Sequence, residues 1–347
     1  MHTWTASAHC ARHFRTLVRQ SGSDSPRFDA LPGLAPRDLG DDLIRVPMAS
    51  VVALCEQLIV DASGPHVALR AADAAPVGAF GLWDYLATCG PDLRTTIATA
   101  VDYLHLVGDA DTRIQGSENG SLYTIRQSVT VDTPDVAEAF DLMALAIFLR
   151  RAREASRAPL VPLKLTLTHR APTRIRRHAE HFGTRNIEFG AEANTVTLLL
   201  DDVVRTLPGS QPGLDRVLRD HADRTLAATR TVPTGHDRFT AALEAAFRDD
   251  EVSLDRVAQR LGTSGRTLQR RLAALGTSWR AEVEAARERQ ALALLRDTDL
   301  PLRDVAAKLG YTDARTLRRA MLRWQSTTPS ALRARGRDGG QSSSSQR

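Results

Sequence analysis

One pattern occurs twice near the end of this 347-residue chain, and nothing else in the sequence constrains the fold as tightly. Residues 254–271 read LDRVAQRLGTSGRTLQRR, and residues 302–319 read LRDVAAKLGYTDARTLRR. Leu254, Val257, Ala258, Leu261 and Gly262 recur 48 positions later as Leu302, Val305, Ala306, Leu309 and Gly310. After one inserted residue, Arg266, Leu268 and Arg270 recur 49 positions later as Arg315, Leu317 and Arg319. In each copy the apolar residues share one helical face. The glycine follows where the chain must turn sharply, and a positive φ is cheap only for glycine. Ser264 and Thr312 stand where the N-cap of a second helix belongs. Helix, tight turn and second helix is the spacing of a helix-turn-helix unit.

The second helix of each unit carries the chemistry. Leu268, Leu272 and Leu275 are predicted to face inward, with Arg266 and Arg270 opposite and Gln269 on the flank. In the second copy Leu317, Met321 and Trp324 are predicted to face inward, with Arg315 and Arg319 opposite and Arg318 on the flank. Arginine can donate two hydrogen bonds to guanine O6 and N7, and glutamine can pair with adenine, each worth about 1–3 kcal/mol of discrimination. These six residues are therefore candidate base readers. Arg271, Ser264 and Thr312 are candidate phosphate contacts, whereas Lys308, Arg303 and Arg323 are phosphate contacts or plain surface charges. The competing account is that exposed arginine merely keeps a helix soluble; matched pairs at the front of both second helices favour DNA. Between the units, residues 279–296 have a helical pattern. About 18 residues make a rod of roughly 27 Å, short of the ~34 Å between major-groove entries on one DNA face, so the helices must project beyond it or the DNA must bend.

Charge is distributed to match. Residues 236–335 hold 19 Lys and Arg against 13 Asp and Glu, whereas residues 1–235 hold 25 against 27. A basic C-terminal piece behind a near-neutral larger one fits a nucleic-acid module joined to something else. Lys164 and Lys308 are the only lysines, which points to a compositional bias toward arginine. That bias explains why the cations are arginine, but not why they fall on particular helix faces. Cys10, Cys55 and Cys89 are far apart, with no C-x2-C pair, so neither a zinc site nor a disulfide framework is expected. The first 20 residues lack the apolar core of a signal peptide, and the apolar run from Leu142 to Leu149 is too short to span a bilayer. A cytoplasmic protein without membrane association is the expectation.

The expected organisation is a loosely ordered segment over 1–40, an α+β domain over 41–210, a helical linker over 211–235, an all-α domain of two helix-turn-helix units joined by a linker helix over 236–335, and a disordered tail over 336–347. Residues 1–40 are rich in Ser, Gly, Pro and Asp after a short amphipathic start. Helical periodicity runs from Arg45 to about Val107. Asn119-Gly120 between alternating segments signals a hairpin. A helix opens at Pro134, and the order onward is β-β-α-β-α-β-β. In 212–230, Leu214, Val217, His221 and Thr225, with a parallel row of Leu218 and Leu226, form a seam suited either to dimerisation or to packing on the first domain.

Other constellations are weak. His9 and His13 are four apart, a metal-ligand spacing, but without a third ligand they read as surface residues. His178 and His181 lie beside Arg174, Arg176 and Arg177, an anion-binding patch or a solvated face. His169 is assigned a structural hydrogen bond. No P-loop, Rossmann glycine pattern or nucleophile elbow is present, and no catalytic residue, metal or cofactor is assigned.

The repeat, the linker helix and the segment LRDVAAKLGYTD, continuing through Thr316-Leu317-Arg318-Arg319 to Thr328-Pro329, resemble the C-terminal domain of the AraC/XylS family of bacterial transcription regulators. Leu254–Gly262 matches that family's LARS-like lead. The family usually has aromatic residues in place of Leu317 and Met321 and glycine in place of Ser326, departures expected to loosen the second unit. Arg45-Val46-Pro47, the segment GAFGLWDYL from Gly78 to Leu86, His169-Arg170-Ala171-Pro172 and HFGTRNIEFGAEANTV at 181–196 resemble the arabinose-binding-like N-terminal domain of one branch of the family, which is not a cupin barrel. The resemblance implies a non-enzymatic, effector-responsive regulator of promoter DNA, more an activator than a repressor. It also implies a homodimer, with RNA polymerase as a further partner and no identifiable effector. Two alternatives stand beside it: a DNA-targeted enzyme with its site in the N-terminal domain, and a regulator controlled by a protein partner only.

Overall fold

The computed structural model describes residues 4–62, 64, 66–109, 112–172, 175–249, 251–298, 300–325, 328–329 and 332. The chain divides into two compact units, Met1–Val232 and Pro233–Arg347. Ser326, Arg174 and the 336–347 tail lie outside the described residues.

The first unit begins with β1 (Thr5–Ser7), α1 (Ala8–Gln20), α2 (Pro26–Asp29), α3 (Pro36–Leu39) and β2 (Ile44–Pro47). Helices α4 (Met48–Ala62), α5 (Val67–Asp73), α6 (Leu82–Leu86) and α7 (Leu93–Asp102) follow, then a 3-10 turn at Leu104–Leu106. The hairpin β3 (Thr112–Asn119) and β4 (Leu122–Val129) leads to α8 (Pro134–Ser156), β5 (Lys164–Leu167), α9 (Arg176–Phe182), β6 (Ile187–Phe189) and β7 (Asn194–Leu199). The unit closes with α10 (Leu200–Val204), α11 (Pro212–Ala228) and β8 (Arg230–Thr231).

The segment expected to be loose is instead built into the core. Ser7 caps α1 by accepting from the Cys10 backbone N–H, and Cys10, Ala11, Phe14 and Val18 are buried along one face of the helix. Pro26 and Pro36 open one-turn helices at positions where a missing N–H is harmless, and Phe28 and Leu34 join the same core. A composition rich in turn residues marked tight turns here, not disorder.

Five strands form a sheet in the order β3-β4-β7-β5-β6, with β5 and β6 parallel and the other neighbours antiparallel. The expected β-β-α-β-α-β-β order is present, but the hairpin turn is Gly120-Ser121, because Asn119 already pairs with Leu122. Helix α8 packs on this sheet and buries Val136, Phe140, Leu145 and Leu149. A second sheet, β1-β2-β8, joins the beginning of the unit to its end: β1 runs antiparallel and β8 parallel to β2. Strands this short carry no periodicity, so the sequence signalled none of the three.

The seam of α11 splits. Leu218, Ala222 and Leu226 pack on the core, whereas Leu214 and Val217 stay exposed.

The second unit comprises α12 (Gly235–Arg248), α13 (Leu254–Arg260), α14 (Gly265–Ala274), α15 (Trp279–Asp297), α16 (Leu302–Lys308) and α17 (Ala314–Gln325). It has two small cores, one per repeat. Phe239 and Leu243 of α12 join Val257, Ala258, Leu268 and Leu272 in the first. Val305, Ala306, Leu309, Leu317 and Met321 form the second. Helix α15 serves both, with Val283 and Ala286 in the first core and Ala291 and Leu295 in the second.

Candidate nucleic-acid interface

In the first repeat, α13 ends at Arg260 with Leu261 as its C-cap, and Gly262 takes a φ of 62°, reversing the chain toward α14. Ser264 caps α14, accepting from the Thr267 backbone N–H at 3.2 Å. Leu268 and Leu272 are buried, so the opposite face of α14 points to solvent. Leu275, expected inside, is 55% exposed, because the helix has already ended at Ala274 and the next residue leaves its face.

The second repeat turns in the same way, with Gly310 at a φ of 73°. Its cap differs from the expectation. The carboxylate of Asp313, not the hydroxyl of Thr312, accepts from the Thr316 backbone N–H, at 2.7 Å. The residue inserted in the turn moves the cap one position on. That backbone N–H is the main reason the Asp313 carboxyl is held below the usual carboxylate range. Leu317 and Met321 are fully buried and Trp324 is half-buried, so these residues fill the second core without the aromatic pair usual at the first two positions.

This geometry brings the candidate residues to two solvent faces. Arg266, Gln269, Arg270 and Arg271 are exposed on α14, and Arg315, Arg318 and Arg319 are exposed on α17. Neither helix contains an acidic residue. Among the described residues, none of these six arginines makes a side-chain hydrogen bond or ion pair within the protein. Some arginines on the neighbouring helices are paired. Arg260 on α13 pairs with Asp249 at 2.6 Å, and Arg303 on α16 pairs with Asp304 at 3.2 Å. Arg323, left open between phosphate contact and surface charge, pairs with Glu284 at 2.9 Å. The second helix of each repeat thus presents three exposed arginines without a side-chain ion pair.

Helix α15 grips the second repeat at its turn. Arg287 Nε donates to the Leu309 carbonyl at 3.1 Å, and its guanidinium lies 5.2 Å from the centre of the Tyr311 ring. Glu284 joins Arg287, at 3.1 Å, to Arg323 on α17. Sequence reading passed over this cluster because its members share neither a period nor a motif.

The first unit contains a cavity of about 120 Å³ with an almost wholly apolar wall. Several buried polar residues of the unit are braces. Arg45 in β2 donates to the Thr5 hydroxyl at 3.0 Å, the His105 carbonyl at 2.7 Å and Asp109 at 2.8 Å. Asp84, completely buried, accepts from the Gly78 and Phe80 backbone N–H groups and from Arg151 at 2.6 Å. Asp141 of α8 accepts from Gln127 at 3.0 Å and Asn194 at 2.9 Å, tying the helix to β4 and β7. Burial pushes the Asp141 carboxyl up to about 7 and the His178 imidazole down to about 4.

Neither histidine pair lies on a freely solvated face, and His181 and Arg177 line a pocket with Arg70, Arg150 and Arg153. His13 lies 3.0 Å from the Ala71 carbonyl, and His9 lies 3.4 Å from Asp42, on an ordered α1. His178 is buried, whereas His181 contacts Asp73 at 2.9 Å, so the two do not share a solvated face. His169, assigned a structural hydrogen bond, has a buried Nε2 without a hydrogen-bond partner, 3.7 Å from Glu138.

Comparison with known proteins agrees with this division. Residues 22–207 match the arabinose-binding domain of AraC transcription regulator, N-terminal, and residues 257–335 match a helix-turn-helix domain. The ornithine utilization regulator of Pseudomonas aeruginosa is 27% identical over 289 residues, covering 82% of this chain and 81% of that protein. The HTH-type transcriptional regulator VqsM of the same organism is 33% identical over 128 residues, 36% of this chain and 39% of that one. The crystal structure of transcriptional regulator CdpR from Pseudomonas aeruginosa aligns with a TM-score of 0.46 at 19% identity, covering 93% and 97% of the two chains. No helix among the described residues is long and apolar enough to cross a membrane.

Proposed function

The chain belongs to the AraC family of transcription regulators, and from that premise we propose that α14 and α17 read base edges of double-stranded promoter DNA. Arg270 and Arg319 are the central readers, flanked by Arg266, Gln269, Arg315 and Arg318. Arg271 and Ser264 contact phosphate. Thr312 sits beside the Asp313 carboxylate, which repels an approaching phosphate and makes it the weakest of the three phosphate candidates. The supporting observation is that the six candidate arginines are exposed and make no side-chain ion pair, on two helices that hold no acidic residue.

The first unit is the sensing and pairing half. It binds a small effector, and the apolar cavity favours that over control by a protein partner alone. It forms a homodimer; the exposed Leu214 and Val217 on α11 fit that role. The regulator activates transcription through contact with RNA polymerase in the cytoplasm, as the family resemblance favours. An enzymatic reading would draw on the buried carboxyl and imidazole groups, but Asp141 is taken up as a brace between helix and sheet.

The test is binding of the full chain to duplexes selected from a random pool. Arg270→Ala and Arg319→Ala should each lose roughly 5- to 150-fold in preference for the selected site, the equivalent of about 1–3 kcal/mol per base-edge pair. Equal weakening on selected and scrambled duplexes would reduce the residue to a phosphate contact.

A further inference from the structure

The cavity in the first unit has a chemistry that limits what can occupy it. The rings of Phe14, Phe80, Trp83, Phe140 and Phe148 face it, with Met48 and Met143 between them. Its side-chain polar groups are few. The Trp83 indole N–H is already donated to the Ala100 carbonyl at 2.8 Å. The Cys10 thiol is neutral, pushed up to about 12 by burial. The Thr112 hydroxyl is what remains. A sugar placed here would exchange water for a hydrocarbon wall at nearly every hydroxyl, and a charged ligand would meet no counter-ion. Aromatic and thioether walls reward a flat or compact apolar guest through dispersion and sulfur–ring contacts. A dry apolar cavity of roughly 150 Å³ takes up benzene, so a cavity of this size has room for a small apolar guest.

The cavity also lies where occupancy can be felt at the end of the unit. Ala6 of β1 and Met48, the first residue after β2, are part of its wall. Those two strands form the sheet that holds β8, the last strand before the boundary at Val232.

We propose that this cavity is the effector site and that its ligand is a small, uncharged, apolar molecule of about six to eight non-hydrogen atoms, an aromatic ring or short branched chain, and not a sugar. The ligand class rests on reading the first unit as an effector domain.

The methionines provide the test. The chain has four, and two of them, Met48 and Met143, line the cavity, whereas Met321 lies in the core of the second repeat. Full-length protein labelled at the methionine methyl carbons is titrated with toluene and, separately, with L-arabinose. Toluene should shift the Met48 and Met143 signals saturably and leave Met321 in place; arabinose should shift none of them. Thr112→Val should bind toluene within about twofold of the parent, because an apolar guest needs no hydroxyl. Ala144→Leu, which pushes a side chain into the cavity, should abolish the shifts while the Met321 signal reports an intact second unit. No toluene shift, a shift with arabinose, or loss of toluene binding in Thr112→Val overturns the assignment. Anisotropy on a selected duplex, with and without toluene, tests the underlying reading. Saturable methyl shifts with unchanged DNA affinity would overturn the effector role and leave the apolar site standing.

Discussion

Salt is the sharpest probe of the cationic helices. Six unpaired arginines on α14 and α17 set the scale of phosphate neutralisation. With Arg270 and Arg319 turned to base edges, and the flanking Arg266, Arg315 and Arg318 counted with Arg271 as neutralising phosphate as well as touching bases, four guanidinium groups remain and log K should fall by about 3.6 per tenfold rise in salt. Raising KCl from about 50 to about 200 mM should then weaken binding by roughly 150-fold. If all six neutralise phosphates the slope reaches about −5.4. Arg323 adds little to either figure because Glu284 already holds it at 2.9 Å. Fluorescence anisotropy of the full chain on a selected and a scrambled duplex across that range measures both slopes. Arg271→Ala should flatten each by about one, while Glu284→Gln should leave the selected-site slope the same or steepen it by releasing Arg323. A slope flatter than about −1, or one unmoved by Arg271→Ala, would refute the reasoning. The six charges would then be surface decoration.

Three further outcomes follow from the interior. Arg151→Met leaves the fully buried Asp84 carboxylate without its 2.6 Å partner and should destabilise the first unit by about 3–5 kcal/mol in urea titrations, with Asp84→Asn in the same chain recovering part of the loss. Asp141, raised to about 7 in the folded chain and near its ordinary 3.8 when unfolded, holds a proton in the native state alone between those values, so its contribution to stability falls as pH rises through that window. The neutral Asp141→Asn should therefore gain on the parent between about pH 5 and pH 7 by up to about 1.4 kcal/mol per pH unit, as read from denaturation midpoints; His178, lowered to about 4, runs in the opposite sense in both proteins and cancels from the comparison. Ser264→Ala removes the cap of α14 and should lower the melting free energy of the second unit by about 1 kcal/mol, measured by calorimetry.

What could be read from the sequence follows the length of each signal. The repeat spans two helices with a glycine at a fixed offset, and its local periodicity was enough to place α13, α14, α16 and α17 and to turn their arginines outward. The long α8 and the eight-residue hairpin strands carried enough period to be recognised. Strands β1, β2 and β8 have three, four and two residues, too few for a period, and they exist because distant segments pair. The errors near turns share one cause. Asn119-Gly120 and Gly120-Ser121 are both acceptable hairpin centres, and Thr312 and Asp313 are both acceptable caps; register and one inserted residue chose between them. The cavity was illegible because residues from Ala6 to Phe148 converge on it, and convergence is a property of packing.

The two-residue strand at the end of the first unit has a mechanical consequence. It is fastened by the Arg230 backbone N–H to the Leu43 carbonyl at 2.8 Å and by the Val232 N–H to the Arg45 carbonyl at 3.0 Å, with the Arg230 guanidinium on Asp41 at 2.6 Å. Were that clasp to open, residues 229–232 would join the leash between the halves and lengthen it by about 13 Å at full extension. Loss of hydrogen-exchange protection at the amides of Arg230 and Val232 would report that opening.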